Sequence, residues 1–537
     1  MSAAPERQQR LPCSSRVWSQ LLPELVEKIV GCLDRNEVPS FRLVNKAAAA
    51  QFRAPHHTTY RLSKPVPPHA FAAHWLAPGA TRGLTLKRRR QLLSLMAASG
   101  VVANLEVAVQ AAGCLLTYDV FKSAVKAGQL DSCVWLREHG CPVIRGAVCP
   151  LLGSAALGGH RPVCEWLLGL GLTWFTSGVS EAARGGHMGL MEWLLQQQPE
   201  LTVIMDPEDE TALLIAGVAH SCDLTTLQRL WWRWGELEEL AKAMAMEAAA
   251  GSPTPDWAAK VEWLVAQGCP RESPRQAAER PDAVARLAWL QARGIPLNFI
   301  SVISAAKTGN AAAVQYLLGE AGVRLSSLDL RDMIGPAATG GHLAVLQALH
   351  AAGWPENIAA DCARTAASHG HLHVLAWLVE TFGAEAVEMD TGLFNAAAAS
   401  GSVPLMAWLR ERGCGWGRGA LTAAAESGCE EAVEWLLARG CPVEQDDVTS
   451  LMCACCNGDL AMARLLRRLG VPWGPAGHLV SGAAQNAPLP MLRWLLEEGC
   501  PIGDYEAARR GAEQRASGRE EALELLEAHR AAGGLVE

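Results

Sequence analysis

The chain has little Tyr and Phe, 4 and 8 among 537 residues, and only 19% of it is charged. With half of its residues apolar, so low a charge excludes global disorder and leaves enough material for a buried core. Seventeen Cys are too few for a disulfide scaffold. No apolar run reaches about 18 residues, so no membrane span and no membrane partner are expected. Met1 to Arg16 is polar and Arg-bearing and has no secretory core, so residues 1–16 read as a disordered tail, with a short transit peptide as the alternative. The expected compartment is reducing, cytoplasmic and/or nuclear. The formal net charge of −8 argues against a dedicated basic face, so no nucleic-acid partner is expected. There is no Gly-rich phosphate loop, Gly-x-Ser-x-Gly elbow or His-Glu-x-x-His. The expectation is a non-enzyme with no catalytic residues, no cofactor and no metal site.

What the chain has in excess is Trp, 19 copies, and these recur at a period. Trp135, Trp166, Trp193, Trp263, Trp289, Trp377, Trp408, Trp435 and Trp494 each sit in a segment resembling Glu-Trp-Leu-Leu. Alignment of neighbouring segments adds Ala108, Arg229, Tyr316, Ala348, Leu465 and Leu525 to the same column, making 15 units with spacings of 26 to 36 residues. Gly follows the column by five residues in ten units, as at Gly140 and Gly440, and Pro by seven in seven units, as at Pro142 and Pro442. Gly just past an apolar helix takes the left-handed cap, and Pro cannot continue the helix. Seven residues before the column stands another Gly, followed in four units by His160, His187, His342 or His371.

The stretch before that second Gly is short and Ala-rich. Further upstream lie Asp119, Ser177, Ser273, Asp332, Asp361 and Thr449, expected as N-caps. Each unit therefore reads as cap, Ala-rich helix, Gly turn, amphipathic Trp/Leu helix and stop. Neither helix buries enough area alone, so identical pairs must stack into a solenoid. At about 10 Å per packed helix pair, 15 units would run roughly 150 Å along a curved path.

The Ala-Ala-x-x-Gly-His turn, the Leu-Leu helix and the Gly stop resemble ankyrin repeats over residues 84–533. They are similar to the Trp-rich, Gly-Cys-Pro variants found in algae, amoebae and their giant viruses. The resemblance implies an all-α, ankyrin-type helical-pair solenoid that binds proteins. The Thr-Pro-Leu-His opening is absent and the period falls short of 33, so tight turns are expected in place of long β-fingers.

Residues 17–53 follow another pattern. Pro23 suits a first helical turn, and Leu22, Leu25, Ile29 and Leu33 form one apolar stripe. Asp34 to Glu37 reads as a turn and Phe41 to Phe52 as a second helix. Leu22-Pro23-Glu24-Leu25, Ile29, Leu33-Asp34 and Leu43-Val44-Asn45-Lys46 resemble an F-box, although Ala47 to Ala50 stand where that family has an aromatic residue. The resemblance implies that Leu22, Pro23, Leu25, Ile29 and Leu33 contact a Skp-type adaptor of a cullin–RING ubiquitin ligase. The alternative is a helical hairpin that only caps the solenoid. Residues 54–83 are a Pro/Gly-rich junction.

Other motifs have plain readings. The Cys column after the stop Gly, and Cys453-Ala454-Cys455-Cys456, read as buried small residues. His369-Gly370-His371-Leu372-His373 contains a turn His and is not taken as a metal site. Lys87 to Arg90 reads as a solvated helix face, with a nuclear import signal as the alternative. Trp231, Trp232 and Trp234 read as packing, with an exposed hot spot as the alternative. The Trp column reads as packing between units rather than as an exposed ladder. The functional expectation is a monomeric substrate receptor of a ubiquitin ligase with an unidentified target protein on its concave face. The alternative is an ankyrin scaffold with no ligase link.

Overall fold

The computed structural model describes residues 22–44, 46–143, 150–171, 178–197, 207–272, 274–354, 358–417, 419–443, 448–475, 477–515 and 517–533. Residues 1–21, Asn45, Trp174, Ser177, Ser273 and Pro355 lie outside these. Among the described residues every regular element is a helix. Fifteen helix pairs follow one another, from unit 1 (Leu86–Ser99 and Val102–Ala112) to unit 15 (Tyr505–Glu513 and Arg519–Gly533).

Two glycine stops shape a unit. In unit 12 the first helix, Ala420–Ser427, is closed by Gly428 at φ 73°, and the second, Glu430–Ala438, by Gly440 at φ 80°. At the second stop the Gly440 amide donates to Leu437 O (3.0 Å) and the Cys441 amide to Leu436 O (3.1 Å). This pair of bonds is a Schellman motif, which satisfies carbonyls the helix itself leaves free. Cys441 then packs inward against the core. The same motif closes the first helix of unit 10, Ala359–Ser368: Gly370 donates to Ala367 O (3.0 Å) and His371 to Ala366 O (2.9 Å).

The residue one past the Trp column is the one the core takes. Leu136, Leu167, Leu194, Leu264, Leu290, Leu378, Leu409, Leu436 and Leu495 have no exposed surface. Burying each stabilises the array by roughly 1.5–3 kcal/mol. A single apolar core runs from Val66 to Leu526. Neighbouring first helices pack closer together than neighbouring second helices, because Ala side chains let backbones approach. The stack therefore bends toward the first helices, which form its concave side.

The expected N-caps are corrected. Asp119 stands in the first turn behind the cap Thr117, and Thr449 follows the cap Val448. Asp332 and Asp361 lie inside the helices Ser327–Thr339 and Ala359–Ser368. Loop length varies between units, so a cap cannot be placed by counting from the Trp column. Side-chain caps are made instead by residues such as Asp223, whose carboxylate accepts from Thr226 N (2.7 Å), and Asp390, which accepts from Leu393 N (2.8 Å).

The head comprises α1 (Pro23–Gly31), α2 (Val38–Phe41), α3 (Lys46–Gln51) and α4 (Pro55–Thr58). The expected continuous helix from Phe41 to Phe52 is broken after Phe41. Val26, Val30, Val38 and Phe52 form a small core separate from that of the solenoid. Buried Asn36 ties the turn after α1 to the junction, donating to Arg61 O (2.9 Å) and Pro65 O (2.8 Å) and accepting from Arg61 N (2.8 Å). Asn104 in turn donates to Val66 O (2.8 Å). A fifth helix, α5 (Pro68–Trp75), packs on unit 1, with Phe71 buried in the solenoid core. The junction, rather than residues 17–53, thus closes the first end of the array.

The array does not run out as an open arc. Unit 1 meets units 11–13. The Ala461 amide donates to Gly113 O (2.9 Å), the Leu115 amide to Gly458 O (3.1 Å) and the Glu431 amide to Arg82 O (3.2 Å). A Cβ on Gly428 would stand 2.6 Å from that of Leu86, so only Gly allows this approach. About twelve units complete one turn, and the next passes alongside it.

Candidate functional site

At the start of the head, α1 turns one face to its own core and the other to solvent. Leu22 and Leu25 are 61% and 45% exposed, Pro23 is exposed, and Ile29 and Leu33 are half-buried. The buried side of α1 is carried by Val26 and Val30, beside that stripe. Leu43 and Val44 add a second exposed pair at 85% and 52%.

The Trp column lies on the second helices. Trp494 is buried, and the other eight Trp are half-buried and packed against the core. Five of the nine rings carry an Arg or a stacked His as cover. Arg293 lies over Trp289 (3.6 Å), Arg412 over Trp408 (3.9 Å), Arg439 over Trp435 (4.2 Å) and Arg161 over Trp193 (4.9 Å), and His139 stacks on Trp135 (3.8 Å). Of the irregular cluster, Trp231 is buried against Trp263, Trp234 is half-buried and Trp232 is 67% exposed.

The turn His residues face the preceding unit. His160 Nε2 donates to Lys126 O (3.1 Å) and His371 Nε2 to Thr339 O (2.9 Å). The rings of His187 and His342 sit against Gly159 and Gly309, where no Cβ would fit. Units without His bond carbonyls at or near the end of the preceding unit's first helix by other donors. Asn310 donates to Arg280 O (3.1 Å) and Arg286 to Ala250 O and Ser252 O (2.9 Å each). Lys260 donates to Ala219 O and Cys222 O (2.8 Å each). This ladder of donors holds unit to unit, and repeat counting did not reveal it because the donor changes position.

The basic run at the start of unit 1 is a solvated face only in part: Lys87 and Arg88 are exposed, whereas Arg89 and Arg90 turn inward. Arg89 is buried and pairs with buried Asp459 of unit 13, with Nη1 to Oδ1 at 2.9 Å and a second bond from Nη2 to Oδ2. It also donates to Ala112 O (2.7 Å) and to Gly428 O of unit 12 (2.8 Å). Burial alone would lower the Arg89 pKa, but its hydrogen bond and charge attraction to Asp459, with smaller help from neighbouring groups, together outweigh that and hold it above the usual value. Arg90 donates to Asn457 O, and Arg82 pairs with Glu434. One clue was present in the sequence: Arg89 falls on the helix face of Leu86, Leu93 and Met96, where a charge is out of place.

Three arrangements resemble chemistry, and in each the groups are engaged within the fold or buried. Lys260 Nζ lies 2.8 Å from Ser252 Oγ, but both residues are fully buried and the Ser252 hydroxyl donates to His220 O (2.5 Å). The hydroxyl is a link in the ladder, away from the surface. Burial pushes the thiols of Cys133, Cys141, Cys164, Cys269 and Cys362 to about 12, so they are not thiolates near neutral pH. The column thiols of Cys141 and Cys414 donate to Thr117 O (3.3 Å) and Asp390 O (3.0 Å). Cys455, in the Cys-rich helix, is buried among small residues, and its thiol is likewise raised. His371 and His373 bond backbone carbonyls of the preceding unit, and no metal-binding group was found among the described residues. Among those residues no helix is long and apolar enough to cross a membrane.

On the concave side, the first helices and turns of units 4–8 enclose an open groove of about 630 Å³. Arg184, His220, Arg280 and Lys307 line it together with Ile300 and Ile303.

Residues 393–471 match the family model for ankyrin repeats, in three copies. Those copies are units 11–13, the ones unit 1 docks against. No curated protein matches the chain. Among solved structures, the pentatricopeptide repeat protein PPR10 from maize is similar at 14% identity, over 96% of this chain and 87% of that one, with a TM-score of 0.25. PPR10 in complex with an 18-nt psaJ RNA element matches at 13% identity, over 96% and 89%, with a TM-score of 0.26. Likeness at that level carries no argument about what this chain binds. The expectation that nucleic acid is excluded is corrected on another ground, the local charge of the groove. The net charge of −8 cannot restore that exclusion, because a groove can be locally basic on an acidic protein.

Proposed function

We propose that the chain is a protein-binding adaptor that recruits a target on its concave face and docks a Skp-type adaptor of a ubiquitin ligase through its head. The match to ankyrin repeats supports protein–protein interaction, as does an all-helical array with a continuous concave side. The head reading rests on one observation above the others. Leu22 and Leu25, beside Pro23, stay exposed on a helix whose opposite face is satisfied by a core of its own. A helical hairpin that served only as a cap would share the solenoid core, and here α5 occupies that position. Exposed Leu43 and Val44 extend the apolar surface available to an adaptor. The mechanism is proximity: the ligase modifies what the solenoid holds, and no chemistry by this chain is required. A cytosolic or nuclear location goes with this reading, as does kinship to the Trp-rich, Gly-Cys-Pro ankyrin variants.

Co-purification of the full chain with a Skp-type adaptor tests it. The intact chain should capture the adaptor, and Leu22→Asp with Leu25→Asp should abolish capture without lowering the melting temperature. Failure of the intact chain to bind would leave the scaffold alternative.

A further inference from the structure

The groove of units 4–8 differs in charge from the molecule around it. Arg184, Arg280 and Lys307 project into it from three units, and none of them forms an ion pair among the described residues. The Nε of Arg280 is buried and has no hydrogen-bond partner. Two carboxylates line the groove, and one of these, Glu247, is already held by the amides of Arg275 (3.1 Å) and Gln276 (2.6 Å). The other, Glu279, is exposed on the wall. Burial, and to a lesser extent the charges of Arg184, Arg280 and Lys260, keeps the His220 pKa below its usual value. Ile300 and Ile303 are half-buried beside the charges and offer an apolar contact.

We propose that this groove binds an acidic peptide segment of the target, its carboxylates meeting Arg184, Arg280 and Lys307 and an aliphatic side chain resting on Ile300 and Ile303. The inference rests on the reading of the chain as a target-recruiting adaptor and names the chemistry of that target. Unpaired cations at separate points of a groove are complementary to carboxylates spaced along an extended peptide. No Trp, Tyr or Phe lines the groove, so the stacking platforms that single-stranded nucleic acid uses are missing from it. Glu247 and Glu279 would also repel a continuous phosphate backbone.

The test uses the full chain and three fluorescein-labelled probes: a short Asp/Glu peptide with a central Leu, the same peptide with Lys for its acids, and a short oligouridylate. Binding of the acidic peptide alone is expected, weakening with added salt. Arg184→Glu, Arg280→Glu and Lys307→Glu together should raise its Kd at least about tenfold. Should the reversals disturb folding, Arg184→Gln with Lys307→Gln, both exposed side chains, should weaken binding to a smaller extent. No binding of the acidic peptide, unchanged binding by these variants, or preference for oligouridylate overturns the inference. Adaptor co-purification on the same samples separates the two readings. Adaptor capture without peptide binding removes only the groove assignment, and peptide binding without adaptor capture removes only the ligase link.

Discussion

Arg89 and Asp459 lie 370 residues apart in sequence and form a fully buried, two-bonded ion pair that fastens unit 1 to unit 13. Each also has local work: Asp459 caps the second helix of unit 13 by accepting from Met462 N (3.1 Å), and Arg89 donates to Ala112 O. The pair is therefore embedded in both units it joins.

Breaking it from one side should be costly. Arg89→Met leaves Asp459 buried and unpaired, with an expected loss of about 3–5 kcal/mol. Urea unfolding followed by Trp fluorescence measures the loss. Small-angle scattering should show a larger radius of gyration as the turn of units springs open. Adding Asp459→Asn removes the stranded charge, keeps a capping side chain and should recover part of the stability. An unchanged radius and unchanged stability in Arg89→Met would falsify the closure.

Lys260 gives the array a pH dependence. Burial lowers its pKa from 10.5 to about 8. Between those values the unfolded chain holds the proton that the folded chain has released, so the group's contribution to stability grows as pH rises through that window and is lost as pH falls through about 8. Relative to Lys260→Met, the wild-type chain should gain on the order of 1–3 kcal/mol from pH 8 to 10. Parallel denaturant titrations of the two proteins check this, and a gap that stays flat with pH would contradict it.

The turn glycines should not be equally sensitive. Gly341 has φ 67°, and an added Cβ would stand 2.5 Å from His371 Nδ1. Gly370 has φ 77°, but its nearest neighbour would be Ser400 Oγ at 3.6 Å. Both substitutions to Ala incur about 1–2 kcal/mol for the left-handed backbone. Gly341→Ala should lose more than Gly370→Ala, and His371→Ala should erase the difference. Melting temperatures of the four variants decide the point.

The Arg-covered Trp rings predict a graded series. Arg439→Ala removes one cover and should cost up to about 1 kcal/mol, whereas Trp435→Ala also opens the flank of the core and should cost roughly 2–4 kcal/mol. Neither lies on the concave groove, so acidic-peptide binding should persist in both. A loss of binding with stability unchanged would point instead to an outer-face site.

The period, the helix pairs and both glycine stops were legible in the sequence because each depends on residues close together in the chain. Helix starts were not, since a cap such as Asp390 follows a loop of variable length. The head was half legible. Its first helix was found, but the pattern of Leu22, Leu25, Ile29 and Leu33 did not reveal that Val26 and Val30 form the inner face, and the second helix is broken after Phe41. Arg89 was visible as a charge on an apolar face, yet nothing local identifies Asp459 as its partner. The groove cations were no more visible, because Arg184, Arg280 and Lys307 belong to different units and only the curvature of the stack gathers them.

An open repeat array can gain or lose a unit with little effect on the rest, because each unit contacts only its neighbours. A chain that meets its own flank loses that freedom. Inserting or deleting one pair between units 2 and 10 would carry Asp459 past Arg89 by about 10 Å, the width of a packed helix pair. Closure thus works as a length gauge, under which duplication and deletion, the ordinary means by which repeat proteins diverge, become errors of register.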